Sequence, residues 1–481
     1  MNPIIKTFLL LTLVIYECCS TALAVDLPSI GDSSGTFLSA EEEQRLGDAF
    51  MRNIRQALTI NDDPEINEYI QSLGYRLLAN SDTGGRKFTF FVVEDPNINA
   101  FAGPGGYIGI NTGLIQITEN ESELASVVGH EIAHVTQRHL ARAFEAASKM
   151  SLPATAAIIA AIILGNKNGQ LGEAAIAATA AGSIQSQINF TRANEEEADR
   201  IGIQILAKSG FDPRSMPKFF ERLHQSSRYY DNQQLEFLRT HPVTVSRIAD
   251  SSNRAEQLSY KPRQDNGNYL LVKTKLSVDN KNKTQDSVKY FEESLKEANN
   301  NNEYALRYGY ALALLADGKY DSARNQISRL IKIDPERLAY QFVLAKIEIA
   351  DGNLDKALVI YSENFKLYPH NYPLTLFYTS ALLQSGQPER AADLLQNHLR
   401  QKTPTPRIYN LLAQAETEAG RLAEAHQALA EYHYLNGQTR TAIEQLKIAL
   451  NNIDAKDSIR EARIKARLIQ LQNEIKQETS H

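Results

Sequence analysis

Hydrophobic and polar positions alternate in two rhythms over the first half of the chain. Between residues 66 and 79 the apolar side chains fall at Tyr69, Ile70, Leu73 and Leu77, the three-and-four spacing of one helix face. Ser39 followed by Glu42 supplies a capping box for an earlier helix. Residues 88–93 and 107–111 are short apolar runs that read as strands. Residues 99–106 between them, Asn-Ala-Phe-Ala-Gly-Pro-Gly-Gly, read as a tight turn joining neighbouring strands. No helix starts directly after this segment, which argues against a phosphate-cradling loop. Residues 122–146 lack Pro and are rich in Glu, Leu, Ala, Arg and Gln, so they read as one helix. Further helices are expected over 189–209, from Phe211-Asp212-Pro213 to about 230, and over 243–258.

Past residue 260 the rhythm changes. Tyr260 to Asn268, with Pro262 and Gly267, reads as a boundary. Gly318, Gly352, Gly386 and Gly420 then follow one another at intervals of 34 residues. Ala323, Ala357, Ala391 and Ala425 keep the same interval, as do Pro335 and Pro369. A 34-residue period of paired helices is the tetratricopeptide signature. Residues 268–300 read as a degenerate first pair. Gly437 and Ala442 fall half a period after Gly420 and Ala425 and mark a degenerate last pair, and residues 458–477 read as a capping helix. Such arrays bind polypeptide on a curved surface and carry no chemistry of their own, so capture of a substrate or partner is expected of this half.

Two apolar stretches need separate treatment. Lys6, the apolar run 7–16 and Ala22-Leu23-Ala24 form an export signal, with cleavage expected after Ala24. Residues 25–35 read as an extended lead-in. Residues 151–164 and 171–184 are Ala-rich, apolar and too short to span a bilayer. Three roles are open to them: a buried helical hairpin, a lid over a site, or a surface in peripheral contact with membrane. The expected organisation is therefore a signal peptide at 1–24, a first domain at 25–260 and a repeat domain at 268–478.

Composition narrows the chemistry. The 481 residues are 22% charged and 43% hydrophobic, ordinary globular values. The net charge of -6 leaves no basic footprint, so nucleic acid is excluded as a partner. Both cysteines, Cys18 and Cys19, lie in the export signal. Any metal site in the processed chain must then use His and carboxylate, and export without disulfides suits a bacterial periplasm.

The metal candidate is His130-Glu131-Ile132-Ala133-His134. On a helix, residues four apart share a face, so His130 and His134 can present two imidazoles to one ion. Glu131 is placed to reach a water activated at that ion, the arrangement used in zinc-assisted peptide hydrolysis. A third protein ligand is required. Glu195, in Asn194-Glu195-Glu196-Glu197-Ala198-Asp199-Arg200, shares its helix face with Ala198, Asp199 and Gly202, and small residues there allow close approach of the first helix. Asp199 can accept the free N–H of a ligating His or act in proton transfer. Glu196 and Glu197 are expected in solvent. His241, in a Thr-His-Pro loop, is open to three readings: a structural loop histidine, a fourth ligand in a resting state, or an oxyanion stabiliser. His139, His224 and the C-terminal histidines have no partner at ligand spacing and read as surface or packing residues. A short strand beside the metal helix, near residues 107–112, could add an extended substrate as a further strand, or be a plain sheet edge.

The motifs at 130–134, 194–200 and 99–106, in this order, resemble the M48 zinc metallopeptidases, and the export signal and repeats point to a periplasmic branch of Gram-negative bacteria. The resemblance implies a mainly α protein, with an α+β zinc metallopeptidase domain followed by a tetratricopeptide-repeat α-solenoid. It implies one Zn2+ per chain on His130, His134 and Glu195, with Glu131 as catalytic base and Asp199 assisting. It further implies that the protein works with the outer-membrane barrel assembly machinery, promoting assembly of β-barrel proteins and degrading unfolded or stalled ones, to the benefit of outer-membrane integrity. The competing reading is a non-proteolytic chaperone or adaptor that acts through the repeats with a latent zinc site.

Overall fold

A computed structural model describes residues 39–145, 155, 159–160, 192–226, 236–262, 267–279, 284–298, 301–454 and 457–479. The export signal and most of 151–184 lie outside the described residues. Ile159 and Ala160, which lie inside them, are buried against Phe50, Phe91 and Phe101.

The first half packs helices on one small sheet. Helices α1 (Ala40–Ala57) and α2 (Pro64–Leu78) lead into β1 (Thr89–Val93), β2 (Ala100–Ala102) and β3 (Tyr107–Asn111). α2 starts where Asp63 accepts the amides of Glu65 and Ile66 and Pro64 fills the first turn, where its missing N–H costs nothing. Its stripe of Tyr69, Ile70, Leu73 and Leu77 enters the core with Phe90, Ile108 and Ile110 of the sheet.

The strand order is β1-β3-β2. β1 pairs with β3 in parallel, Phe90 opposite Ile108, while β2 pairs with β3 antiparallel, Phe101 opposite Gly109. This corrects the expected simple turn between the two long strands. Parallel neighbours need a crossover, and here the connection carries a strand of its own; the tight turn, Pro104–Gly106, joins β2 to β3. It also corrects the expected substrate edge. β3 is hydrogen-bonded on both sides and has no free edge; β2 is the outer strand on that side.

After α3 (Thr112–Ile117) come α4 (Glu121–Thr136), capped by Asn120 on the amide of Glu123, and α5 (His139–Glu145). The single helix expected over 122–146 is thus two, because Arg138 takes a left-handed φ of 55° that ends the ladder. Next are α6 (Arg192–Lys208), α7 (Ser215–Ser226), α8 (Glu236–Thr240) and α9 (Val245–Gln257), the last capped by Thr244. α4 and α6 cross at Gly129 and Gly202. A Cβ on Gly202 would stand 3.1 Å from the His130 backbone nitrogen, so the approach of the two helices needs the missing side chain.

The second half is a helical repeat: α10 (Asn268–Asp279), α11 (Thr284–Lys296), α12 (Glu303–Ala316), α13 (Tyr320–Ile333), α14 (Leu338–Ala350), α15 (Leu354–Leu367), α16 (Tyr372–Gln384), α17 (Pro388–Leu399), α18 (Pro406–Glu418), α19 (Leu422–Leu435), α20 (Thr439–Asn451) and α21 (Ser458–Thr479). Gly318, Gly352, Gly386 and Gly420 turn each pair with φ of 71° to 81°, a region that favours glycine. Ala323, Ala357, Ala391 and Ala425 are buried at the contact of paired helices.

The array meets the first half at several places along its length, Lys346 reaching Glu65 and Arg407 the Asp62 carbonyl in its middle. α10 divides its face: Tyr269, Val272 and Leu276 enter the core with α2 and α4, while Leu271 packs into the repeats. Lys275 forms a buried ion pair with Asp63 at 2.6 Å and also meets Glu65. At the far end, Arg52, Arg55 and Gln56 of α1 donate to the Tyr434 hydroxyl and to the Leu435 and Gly437 carbonyls, at 2.9, 2.8 and 2.7 Å.

Candidate metal centre

α4 and α6 bring the candidate side chains together. His130, His134, Glu195 and His241 each offer a ligand atom, all within 4.8 Å of one another, and all four residues are buried. The Nε2 atoms of His130 and His134 lie 2.9 Å apart. Glu195 Oε2 is 3.5 Å from His130 Nε2, and Glu195 Oε1 is 3.4 Å from His134 Nε2. His241 follows α8 and stacks on Phe237; its Nδ1 stands 3.0 Å from Glu195 Oε1 and 3.4 Å from His130 Nε2.

Glu131 is fully buried beside this cluster, and neither of its carboxylate oxygens has a hydrogen-bond partner. The Ala102 amide of β2 biases the group without closing a hydrogen bond of normal geometry. Burial pushes the Glu131 carboxyl up, against the opposing effect of His241 and His130. His241 Nε2 is 3.5 Å from Glu131 Oε1.

A second layer orients the first. His130 turns its Nδ1 to Asp199 Oδ1 at 2.9 Å. Arg247 grips Asp199 with two hydrogen bonds, Nε to Oδ2 at 2.7 Å and Nη2 to Oδ1 at 2.8 Å. Its Nη1 lies 2.8 Å from Glu195 Oε2 and donates to the Pro242 carbonyl at the same distance. Burial alone would raise the carboxyls of Glu195 and Asp199. The charge of His241 and the bonds from the histidines hold Glu195 well below the usual range, and Arg247 and His130 hold Asp199 down. Burial pushes the His134 imidazole well down; for His130 the bonds to Asp199 and Glu195 outweigh burial and raise it to about 10. Two carboxylates held ionised beside the imidazoles make a pocket that stabilises positive charge. Three imidazoles and a carboxylate, with no thiol, fit a divalent cation of the zinc type.

Three residues escaped the sequence reading. His139 is wholly buried, with its Nδ1 2.7 Å from His134 Nδ1. Glu197, expected in solvent, lies 3.1 Å from His139 Nε2. Arg247 is a buried arginine in the first turn of α9. On a continuous helix His139 would stand about 140° round from His134; the break at Arg138 returns it to the site. Its one visible signal was a histidine five residues after the motif. Glu196 is exposed, as expected, and His426 and His433 hydrogen-bond glutamines within the repeats.

Comparison with known proteins agrees with this geometry. Peptidase family M48 matches residues 64–255, and the tetratricopeptide repeat family matches 281–347 and 348–415. The chain is 36% identical over 446 residues to the β-barrel assembly-enhancing protease of Escherichia coli K12, covering 92% of this chain and 91% of that one. It is 37% identical over 470 residues to the putative β-barrel assembly-enhancing protease of Vibrio cholerae, covering 96% of both. The mitochondrial metalloendopeptidase OMA1 of Schizosaccharomyces pombe is 29% identical over 180 residues, covering 37% of this chain and 50% of its own length.

Proposed function

The chain belongs to peptidase family M48 and is a metalloendopeptidase, and from that premise we propose that it is a periplasmic zinc enzyme that promotes assembly of outer-membrane β-barrel proteins and degrades those that misfold or stall. One observation carries the catalytic part: four buried donors converge beside a buried glutamate whose carboxylate accepts no hydrogen bond of normal geometry among the described residues. Similarity to the two barrel assembly-enhancing proteases over nearly the whole chain supports the clients and the compartment.

His130 and His134 from α4 and Glu195 from α6 would hold the zinc. When bound, the ion supplies a Lewis acid and a water with a pKa near about 7. Glu131 accepts the proton of the attacking water and hands it to the leaving amine. Asp199 sits behind His130, tied to Arg247, so it orients the ligand instead of meeting substrate. His241 Nε2 faces Glu131 and can donate to the oxyanion. The substrate lies extended beside β2, the outer strand whose Ala102 amide approaches Glu131. The repeats capture the client, and a cavity of about 1120 Å³ between α2 and the array, lined by Glu68, Tyr69, Arg76, Lys275, Arg337 and Phe342, gives a docking volume beside the catalytic half. Replacing Glu131 by Gln tests the base: cleavage of an unfolded barrel protein should stop while bound zinc stays at one per chain, and robust cleavage would refute the assignment.

A second reading, an adaptor with a latent site, draws on His241. Its Nδ1 reaches the donor cluster, where it competes for the position a substrate carbonyl needs. The two readings combine if His241 holds the enzyme at rest until a client arrives. Basal proteolysis should then rise in His241→Ala; an unchanged rate would speak against the latch, and a fall would assign His241 to the oxyanion instead.

A further inference from the structure

We propose that His139 and Glu197 are positioning residues that fix the tautomer in which His134 presents Nε2 to the metal. The inference rests on the reading of His134 as a ligand and adds two residues to it. The side of the His134 ring that faces the cluster is Nε2, close to His130 Nε2 and Glu195 Oε1. A ligating nitrogen must offer a lone pair, so the ring proton belongs on Nδ1. Beside that nitrogen, at 2.7 Å, is His139 Nδ1. Two ring nitrogens at that distance share one proton, so one donates and the other accepts. His139 Nδ1 accepts only if its own proton sits on Nε2. That atom lies 3.1 Å from Glu197 Oε2, and an ionised carboxylate accepts and cannot donate.

The order of donors is thereby set from the outside inward. Glu197 takes the proton of His139 Nε2, His139 Nδ1 takes the proton of His134 Nδ1, and His134 Nε2 is left with its lone pair toward the ion. Glu197 is held in place by Arg142 at 3.2 Å and Arg200 at 3.6 Å, and burial of His139 shields the inner bond from water. The two helix ligands therefore reach carboxylates by different routes. His130 meets Asp199 directly, whereas His134 meets Glu197 through a second imidazole. The break at Arg138 serves this route, because it swings His139 back over the ring it orients.

The test is zinc affinity of the full-length chain, measured by chelator competition, with the visible spectrum of the cobalt-loaded protein as a second readout. His139→Leu fills the space without accepting, and it should weaken zinc by about 10–100-fold, the usual cost of losing an orienting partner. His139→Gln has a carbonyl to accept and an amide to donate, and it should restore affinity to within a few-fold of the natural chain with an unchanged cobalt spectrum. If His139→Leu does not fold, Glu197→Gln serves in its place: an amide can donate as well as accept, so the tautomer is no longer enforced and affinity should fall several-fold. Undiminished affinity in His139→Leu or in Glu197→Gln, or a His139→Gln variant as weak as His139→Leu, would overturn the proposal. His134→Ala distinguishes the underlying assignment: retention of the ion there would refute His134 as a ligand and this relay with it, whereas loss of the ion there with no effect at His139 would refute the relay alone.

Discussion

The metal centre and the repeat array are built on opposite economies. In the array the same solution recurs every 34 residues: a glycine turn, a buried alanine, apolar helix faces. No single position is indispensable to it, and stability sums over neighbours. In the centre nothing recurs. Asp199 and Glu195 converge on Arg247, His130 meets Asp199, and His134, His139 and Glu197 form a chain, with most of these groups out of water. Buried charges are tolerable only in company, so removing one leaves its partners exposed to the full desolvation cost. The centre should therefore fail abruptly at single residues, and the array gradually.

The largest expected effect is chemical. Glu131→Gln should lower turnover by at least about 10³-fold, within the range that loss of an acid–base group produces, with zinc content and thermal unfolding unchanged. Next comes Arg247→Leu, which strands Asp199 beside Glu195 and should cost about 3–5 kcal/mol, read as a fall in denaturation midpoint together with weaker zinc binding; Arg247→Lys should recover part of the stability without the two-pronged grip. In the array, Ala357→Leu overfills one helix contact and should cost about 1–3 kcal/mol with zinc affinity unaltered. A loss of zinc in that variant would erase the contrast drawn between the two regions.

A smaller effect tests where the regions meet. Burial alone would raise the Asp63 carboxyl, but Lys275 outweighs it and holds the group below its ordinary value. A carboxyl depressed by folding stabilises above its unfolded pKa of about 4 and loses that contribution as the pH falls through its folded value. The stability advantage of the natural chain over Asp63→Asn should thus be full at neutral pH and shrink below about pH 4. An advantage that does not shrink at all as the pH is lowered from neutral until the chain unfolds would remove Asp63 from the account of this junction.

The same contrast explains what could be read from the chain alone. Periodicity carries the repeats, because Gly318 and Gly352 do the same job and announce it by their spacing. The four-residue interval of His130 and His134 carries the pairing of the two rings, because a helix converts interval into direction. No interval connects Arg247 to Asp199. Their pairing depends on how α6 and α9 pack, which is settled by the whole core. His139 stayed hidden for a local reason: a helix drawn straight through Arg138 points it away from the site. β3 looked like a substrate edge because its two neighbours are distant or very short in sequence, Thr89–Val93 and the three residues of β2.

The central claim is that α4 and α6 close on one ion through His130, His134 and Glu195. Its most direct test is elemental analysis of the purified full-length chain beside Glu195→Ala, both dialysed against a weak chelator. The account predicts one zinc per chain in the first and close to none in the second, with helix content equal in both. A full equivalent of zinc retained by Glu195→Ala at undiminished affinity would contradict it.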